Sequence, residues 1–189
     1  MDNRFFEAVQ ANPIIAAVKN DDELRRCLQL PNDIHVVFIL YGDICNIGRI
    51  VQQIKDAGKV TMVHIDLVNG LSGKEIAVDF IHSNTNADGI ITTRPNLIRR
   101  AKELGLFTIL RLFIIDSRAL EEVKNVKDVN PDFLEVLPGV IPSAIRRIKA
   151  TTGLPILAGG LIVSKQDVID ALDAGASAIS ATSETVWRM

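Results

Sequence analysis

The stretch "PILAGGLIVSKQDVIDALDAGASAISAT" (155–182) holds two apolar runs, "PILAGG" and "SAISAT", on either side of an amphipathic segment. The middle segment, "SKQDVIDALDAG" (164–175), reads as a helix. Ser164 stands at its N-cap position with Asp167 three residues on in the first turn. Gly175 stands where a helix end favours a left-handed residue. A strand, a helix and a second strand of near-continuous apolar character are the unit of a parallel sheet covered by helices.

The same unit recurs along the chain. Its other apolar runs are "PIIAAV" (13–18), "HVVFIL" (35–40), "VTMVHID" (60–66), "DGIITT" (88–93), "FTILRLFII" (107–115) and "DFLEVL" (132–137). With 155 and 177 the starts fall 22, 25, 28, 19, 25, 23 and 22 residues apart, and seven helix-like segments lie between them. They include "DICNIGRIVQQIKDAG" (43–58) and "RPNLIRRAKELG" (94–105), the latter again ending in glycine. Eight units of similar length favour a small closed (β/α)8 TIM-type barrel over an open doubly wound sheet. The dinucleotide-binding form of the open sheet is further weakened because no GxGxxG occurs. Only "SETVWRM" follows the last run, so the eighth helix is expected to be truncated. The opening "NRFFEAVQ" is expected to form a helix that closes the barrel bottom with Phe5 and Phe6. No linker or low-complexity stretch interrupts the series, and residues 1–189 read as one barrel domain.

Composition narrows the class. Of 189 residues, 48% are hydrophobic and 23% charged, an ordinary globular balance with enough chain for a sizeable core. No apolar run reaches the roughly 18 residues of a membrane span, and the start lacks signal-peptide organisation. A cytoplasmic protein that does not engage membranes is expected. Cys27 and Cys45 form no CxxC, and His35, His64 and His82 form no ligand-spaced pair, so neither a zinc site nor a disulfide framework is expected. The net charge of -2 withholds the footprint of a dedicated nucleic-acid binder, although a local basic patch remains compatible with it.

In a barrel of this kind ligands sit at the C-terminal ends of the strands. Residues two apart share a face, which places His64 with Asp66. Arg111 in "ILRLF" and Glu135 in "FLEVL" lie among apolar neighbours in consecutive strands. An unpaired charge is costly against an apolar helix layer, so both are expected to point inward and to pair. The pair is either purely structural or part of a site. Lys19 follows the first run and Arg94 the fourth, each an anion contact or a solvated charge. Lys19, Asp66, Arg111 and Glu135 at one mouth would suit a small polar anion. They would also suit acid–base catalysis with Glu135, Asp66 or His64 as base.

The two glycines that end the seventh run allow two readings, a tight turn or a backbone kept bare for a phosphate. Phosphate sites of barrels are often built from the loops after strands 7 and 8 and a short extra helix. Gly159 and Gly160 supply the first piece. Thr182 and Ser183, preceded by Ser180, supply the second, with a short helix expected near Ser183. "LVNGLSGKE" (67–75) fails as a P-loop, because Val68 stands where the first glycine is needed and Glu75 where Ser or Thr is needed. It reads as a polar loop over the mouth. Basic clusters in "IRRAK" (98–102) and "IRRIK" (145–149) are ordinary solvated helix faces or an RNA surface at Arg99, Arg100, Arg146 and Arg147. They lack the interleaved aromatics that stack on unpaired bases.

The strand-end motifs "MVHIDLVNGLSG" (62–73), "DGIITTRPNLI" (88–98), "RLFIIDS" (111–117), "PDFLEVLPGVIP" (131–142) and "LPILAGGLI" (154–162) resemble those of the glycerol uptake operon antiterminator regulatory proteins. The resemblance runs in order over nearly the whole chain. It implies a non-enzymatic bacterial regulator with a TIM-barrel fold and no cofactor. Its effector would be glycerol 3-phosphate, and it would bind leader mRNA of glycerol-utilisation genes and prevent premature termination. A homodimer would join two modest basic faces. The competing expectation from the fold is a phosphosugar isomerase or lyase, because barrels host many activities.

Overall fold

The computed structural model describes residues 3–30 and 34–189. Eight parallel strands follow one another around a closed barrel. They are β1 (Ile14–Val18), β2 (Val36–Ile39), β3 (Val60–His64), β4 (Gly89–Thr92), β5 (Phe107–Phe113), β6 (Phe133–Leu137), β7 (Ile156–Gly159) and β8 (Ala178–Ala181). β8 pairs with β1 and seals the ring, with Ile15 opposite Ser180. Closure leaves none of these eight strands with a free edge.

Helix α1 (Arg4–Ala11) precedes the barrel. The seven connections carry α2 (Asp21–Leu28), α3 (Ile47–Asp56), α4 (Ile76–Asn84), α5 (Pro95–Glu103), α6 (Ser117–Glu122), α7 (Pro142–Thr152) and α8 (Lys165–Asp173). After β8 comes a four-residue helix, α9 (Glu184–Trp187), at the place of the short eighth helix expected from the sequence. It is tied down by Trp187 Nε1 donating to the Ala181 carbonyl at 2.7 Å and by an ion pair between Arg26 and Glu184.

Local chemistry sets the helix limits. Ser164 caps α8 in a reciprocal box: its hydroxyl accepts from Asp167 N, and the Asp167 carboxylate accepts from Ser164 N at 2.9 Å. Gly105 and Gly175 follow α5 and α8 with φ of 75° and 101°, a conformation that costs glycine little. α3 starts at Ile47, four residues later than the apolar pattern predicts. Asp43 accepts from the Cys45 and Asn46 amides at 2.8 and 3.0 Å, and this side-chain turn replaces the first helical turn.

The strands separate two apolar layers. Outward residues such as Val37, Val63, Ile90 and Val136 pack beneath the helices. Inward residues, among them Ile15, Phe38, Met62, Ile91, Ile109 and Leu157, fill the barrel. At the bottom, α1 inserts Phe5 against Phe133 (ring centroids 4.9 Å apart) and Phe107 (5.7 Å), with Phe6 stacked on Phe133 at 4.8 Å. The expected plug is present. Beside it Asp88 accepts from Lys55 Nζ at 2.7 Å and from Thr61 N at 2.8 Å, and pairs with Arg4. Among the described residues no helix is long and apolar enough to cross a membrane, and no cluster of His, Cys, Asp and Glu could hold a metal ion. Cys27 and Cys45 are both free thiols. Burial pushes the Cys27 thiol up to about 11, against a smaller opposing pull from Lys59, so it stays protonated.

Candidate functional site

The register of the sheet assembles a polar layer at the C-terminal end of the barrel. β5 sets Arg111 beside Glu135 of β6, and β7 sets Gly159 beside Ser180 of β8. Arg111 lies two residues beyond the interior Ile109, and Glu135 two beyond Phe133, so both point inward. They form the expected buried ion pair: Arg111 Nε donates to Glu135 Oε2 at 2.6 Å, with side chains 9% and 1% exposed. Ser180 Oγ donates to the other carboxylate oxygen at 2.5 Å. Both oxygens of Glu135 are therefore engaged, as a buried carboxylate requires.

Gly159 is shaped by that pair. A Cβ at this position would lie 2.5 Å from Ser180 Oγ and 2.9 Å from Glu135 Oε1. The bare backbone is thus space that Ser180 and Glu135 already use. Gly139, in the loop after β6, approaches equally closely, because its amide donates to the Gly159 carbonyl at 2.5 Å. Gly160 turns the chain with φ of 75°, and Leu161 follows with φ of 62°, a left-handed conformation that a branched side chain adopts only under constraint. Thr182 is exposed, and Ser183 is half-buried at the N-cap of α9 without a side-chain cap bond.

His64 joins the layer from β3, in line with Met62 inside the barrel. It is 3% exposed, and its Nδ1 has no hydrogen-bond partner. Burial pushes the imidazole down to about 4, with the Arg111 charge adding to the effect and Asp66 and the residue's own backbone opposing it, so the ring is neutral at physiological pH.

Two of the proposed polar contacts stand apart from this group. β3 ends at His64, and a 3-10 turn over Ile65–Leu67 swings Asp66 off the shared face. Asp66 accepts from Thr92 Oγ1 (2.9 Å), Thr93 N (2.8 Å) and Thr93 Oγ1 (3.0 Å), and pairs with Arg94 at 3.4 Å. It pins the β4–α5 loop. Lys19 is exposed at the start of α2, where its amine lies 3.6 Å from Glu23 and its amide donates to the same carboxylate at 2.8 Å.

The four arginines of the basic clusters divide as well. Arg99, Arg146 and Arg147 are exposed. Arg100 is held by Asp79 at 2.5 Å and Glu103 at 2.8 Å, so its charge is locally neutralised. α5 follows β4 and α7 follows β6, so the two clusters lie on the outer helices of the fourth and sixth units, with α6 and the 3-10 segment Val123–Asp128 between them in the chain.

A feature of the mouth that the sequence did not announce is its apolar rim. Leu67 and Ile76 after β3, Phe113 and Ile115 at the end of β5, and Leu161 and Val163 after β7 are all exposed, Ile115 by 83%. In the sequence Ile114 and Ile115 read as the last residues of a strand, but β5 stops at Phe113.

This is a (β/α)8 barrel whose inward polar groups are gathered at the C-terminal face, the end at which barrels of this class hold their ligands. The family model described as "Glycerol-3-phosphate responsive antiterminator" matches residues 14–187, and the chain belongs to that family. Among solved structures it is similar to the glycerol uptake operon antiterminator regulatory protein of Listeria monocytogenes, with 34% identity and a TM-score of 0.89 over 93% of this chain and 95% of that one. It is also similar to a glycerol uptake operon antiterminator-related protein of Thermotoga maritima, with 35% identity and a TM-score of 0.82 over 93% of this chain and 98% of that one. A relative from Escherichia coli strain K12, the uncharacterized protein YgcP, is 39% identical over 182 residues, covering 96% of this chain and 94% of that protein.

Proposed function

We propose that this chain is a non-enzymatic, cytoplasmic sensor that binds glycerol 3-phosphate at the barrel mouth and, when loaded, binds leader mRNA of glycerol-utilisation genes and prevents premature termination. The observation that carries the reading is the buried Arg111–Glu135–Ser180 chain beside Gly159 at the ligand end of a barrel from a glycerol-3-phosphate responsive family. In this reading the ligand phosphate lies against the backbone of Gly159, Gly160, Thr182 and Ser183. Its hydroxyls reach the Arg111–Glu135 pair, and Lys19 and Asp66 hold the loops around it. No cofactor is needed, because the work is binding.

A ligand shifts a protein between states only through a difference in affinity for them. The loop over 67–75 and the segment after β8 are the proposed moving parts, since both border the mouth. RNA would meet the exposed Arg99, Arg146 and Arg147, with Arg100 contributing once freed from its carboxylates. A homodimer would join two such faces, and sedimentation of an RNA-binding monomer would remove that part of the reading. Titrating leader RNA at several salt concentrations, with and without glycerol 3-phosphate, tests the whole. Tighter binding with ligand and a steep salt dependence are expected. Equal affinity in both conditions would reject ligand control.

A second reading rests on the buried carboxylate of Glu135 and the neutral imidazole of His64, which are groups of acid–base chemistry. Turnover of a triose or pentose phosphate, abolished by Glu135→Gln, would replace the sensor with an isomerase or lyase.

A further inference from the structure

Among the described residues two buried side-chain atoms lack a hydrogen-bond partner, Thr61 Oγ1 and His64 Nδ1. Both belong to β3, but they face opposite ways. Thr61 shares the outward face of Val63 beneath the helices, whereas His64 shares the inward face of Met62. Among its polar neighbours in the barrel, Arg111 Nε and Ser180 Oγ each donate to Glu135. His64 alone in this layer keeps a ring nitrogen without a partner. A buried polar group left unsatisfied costs stability, and a leucine or methionine would fill the same place without that cost.

The ring has the chemistry to be useful. A neutral imidazole offers one donor and one acceptor, and a hydroxyl group both donates and accepts. Rotation about the Cβ–Cγ bond presents either edge of the ring. Arg111, alongside, carries donors only and cannot accept a hydrogen bond from a hydroxyl.

We infer that His64 is a specificity-determining ligand contact: it hydrogen-bonds a hydroxyl of the small polyol phosphate at the mouth and so separates that ligand from a phosphate ester without hydroxyls. The inference rests on the reading of the mouth as the glycerol 3-phosphate site. It predicts that the unpartnered nitrogen is filled when ligand enters.

The test is calorimetric titration of the full chain with glycerol 3-phosphate and with propyl phosphate, which carries the same phosphate and no hydroxyl. The wild type should prefer glycerol 3-phosphate by about tenfold or more. His64→Leu should lose that preference by weakening glycerol 3-phosphate about tenfold, while propyl phosphate affinity and melting temperature stay at or above wild type. His64→Gln, which keeps a donor and an acceptor, should recover part of the preference, and it carries the test if His64→Leu does not fold. Wild-type preference in both variants, or an equal loss for both compounds, overturns the inference and leaves the site reading standing. Failure of the wild type to bind glycerol 3-phosphate overturns both.

Discussion

At the N-terminal end of the barrel Phe5, Phe6, Phe107 and Phe133 pack ring against ring, whereas toward the C-terminal end His64, Arg111, Glu135 and Ser180 place polar groups inside the barrel. The same strands build both. β5 supplies Phe107 below and Arg111 above, and β6 supplies Phe133 below and Glu135 above, on one inward face. Aromatic burial at the bottom is a direct gain in stability. The charge pair at the top offsets its own desolvation at best, and the unpartnered nitrogen of His64 is a net cost. One end holds the barrel together, and the other is kept polar at the expense of stability.

The sharpest way to break this contrast is to damage each end and read both stability and binding. Phe5→Ala should destabilise the fold by about 3–5 kcal/mol in urea denaturation, while the folded protein keeps its affinity for glycerol 3-phosphate. A large affinity loss would mean that the bottom also shapes the site. Arg111→Met alone should cost about 3 kcal/mol, because it strands a buried carboxylate. The double variant Arg111→Met with Glu135→Leu should return to within about 1 kcal/mol of wild type while losing ligand binding. Full destabilisation in the double variant would show instead that the pair is a structural element.

The next effect is a pH dependence. The folded protein holds the His64 imidazole at about 4, while in the unfolded chain it titrates near 6.5. Between those values the unfolded state binds the extra proton. The contribution is complete above pH 6.5 and is lost as pH falls toward 4. The loss is on the order of 3 kcal/mol. His64→Leu should flatten this part of the profile relative to wild type, and parallel profiles would contradict the burial of a neutral ring. The smallest effect expected is Gly159→Ala, about 1–3 kcal/mol, because the new methyl meets Ser180 Oγ and Glu135 Oε1. Adding Ser180→Ala should recover part of it, and a Gly159→Ala variant as stable as wild type would show that this end of the barrel is slack.

The layout of this contrast was legible in the sequence because each strand is a short apolar run between helices of regular spacing. Phe5 and Phe6 in an otherwise polar opening segment marked the plug, and two charges inside apolar runs marked the pair. Ser164 with Asp167 marked a helix start that the structure reproduces in detail. Alternation along β3 puts Asp66 on the face of His64, but alternation holds only while a strand lasts. β3 stops at His64, and the hydroxyls of Thr92 and Thr93 draw the carboxylate to the neighbouring loop. Lys19 carries its partner four residues on, in Glu23, a local pairing typical of the first turn of a helix rather than of a ligand site. The use of Gly159 as room for Ser180 and Glu135 joins three strands, and no local pattern carries such a contact. The unpaired nitrogen of His64 is likewise a property of what surrounds it in space.

The most direct test of the central claim, that the polar end is maintained for a phosphate ligand at a cost in stability, is calorimetric titration of glycerol 3-phosphate into the wild type and the folded Arg111→Met, Glu135→Leu double variant. Saturable binding to the wild type and none to the equally stable variant is the predicted result. Equal affinity in the two proteins would contradict it.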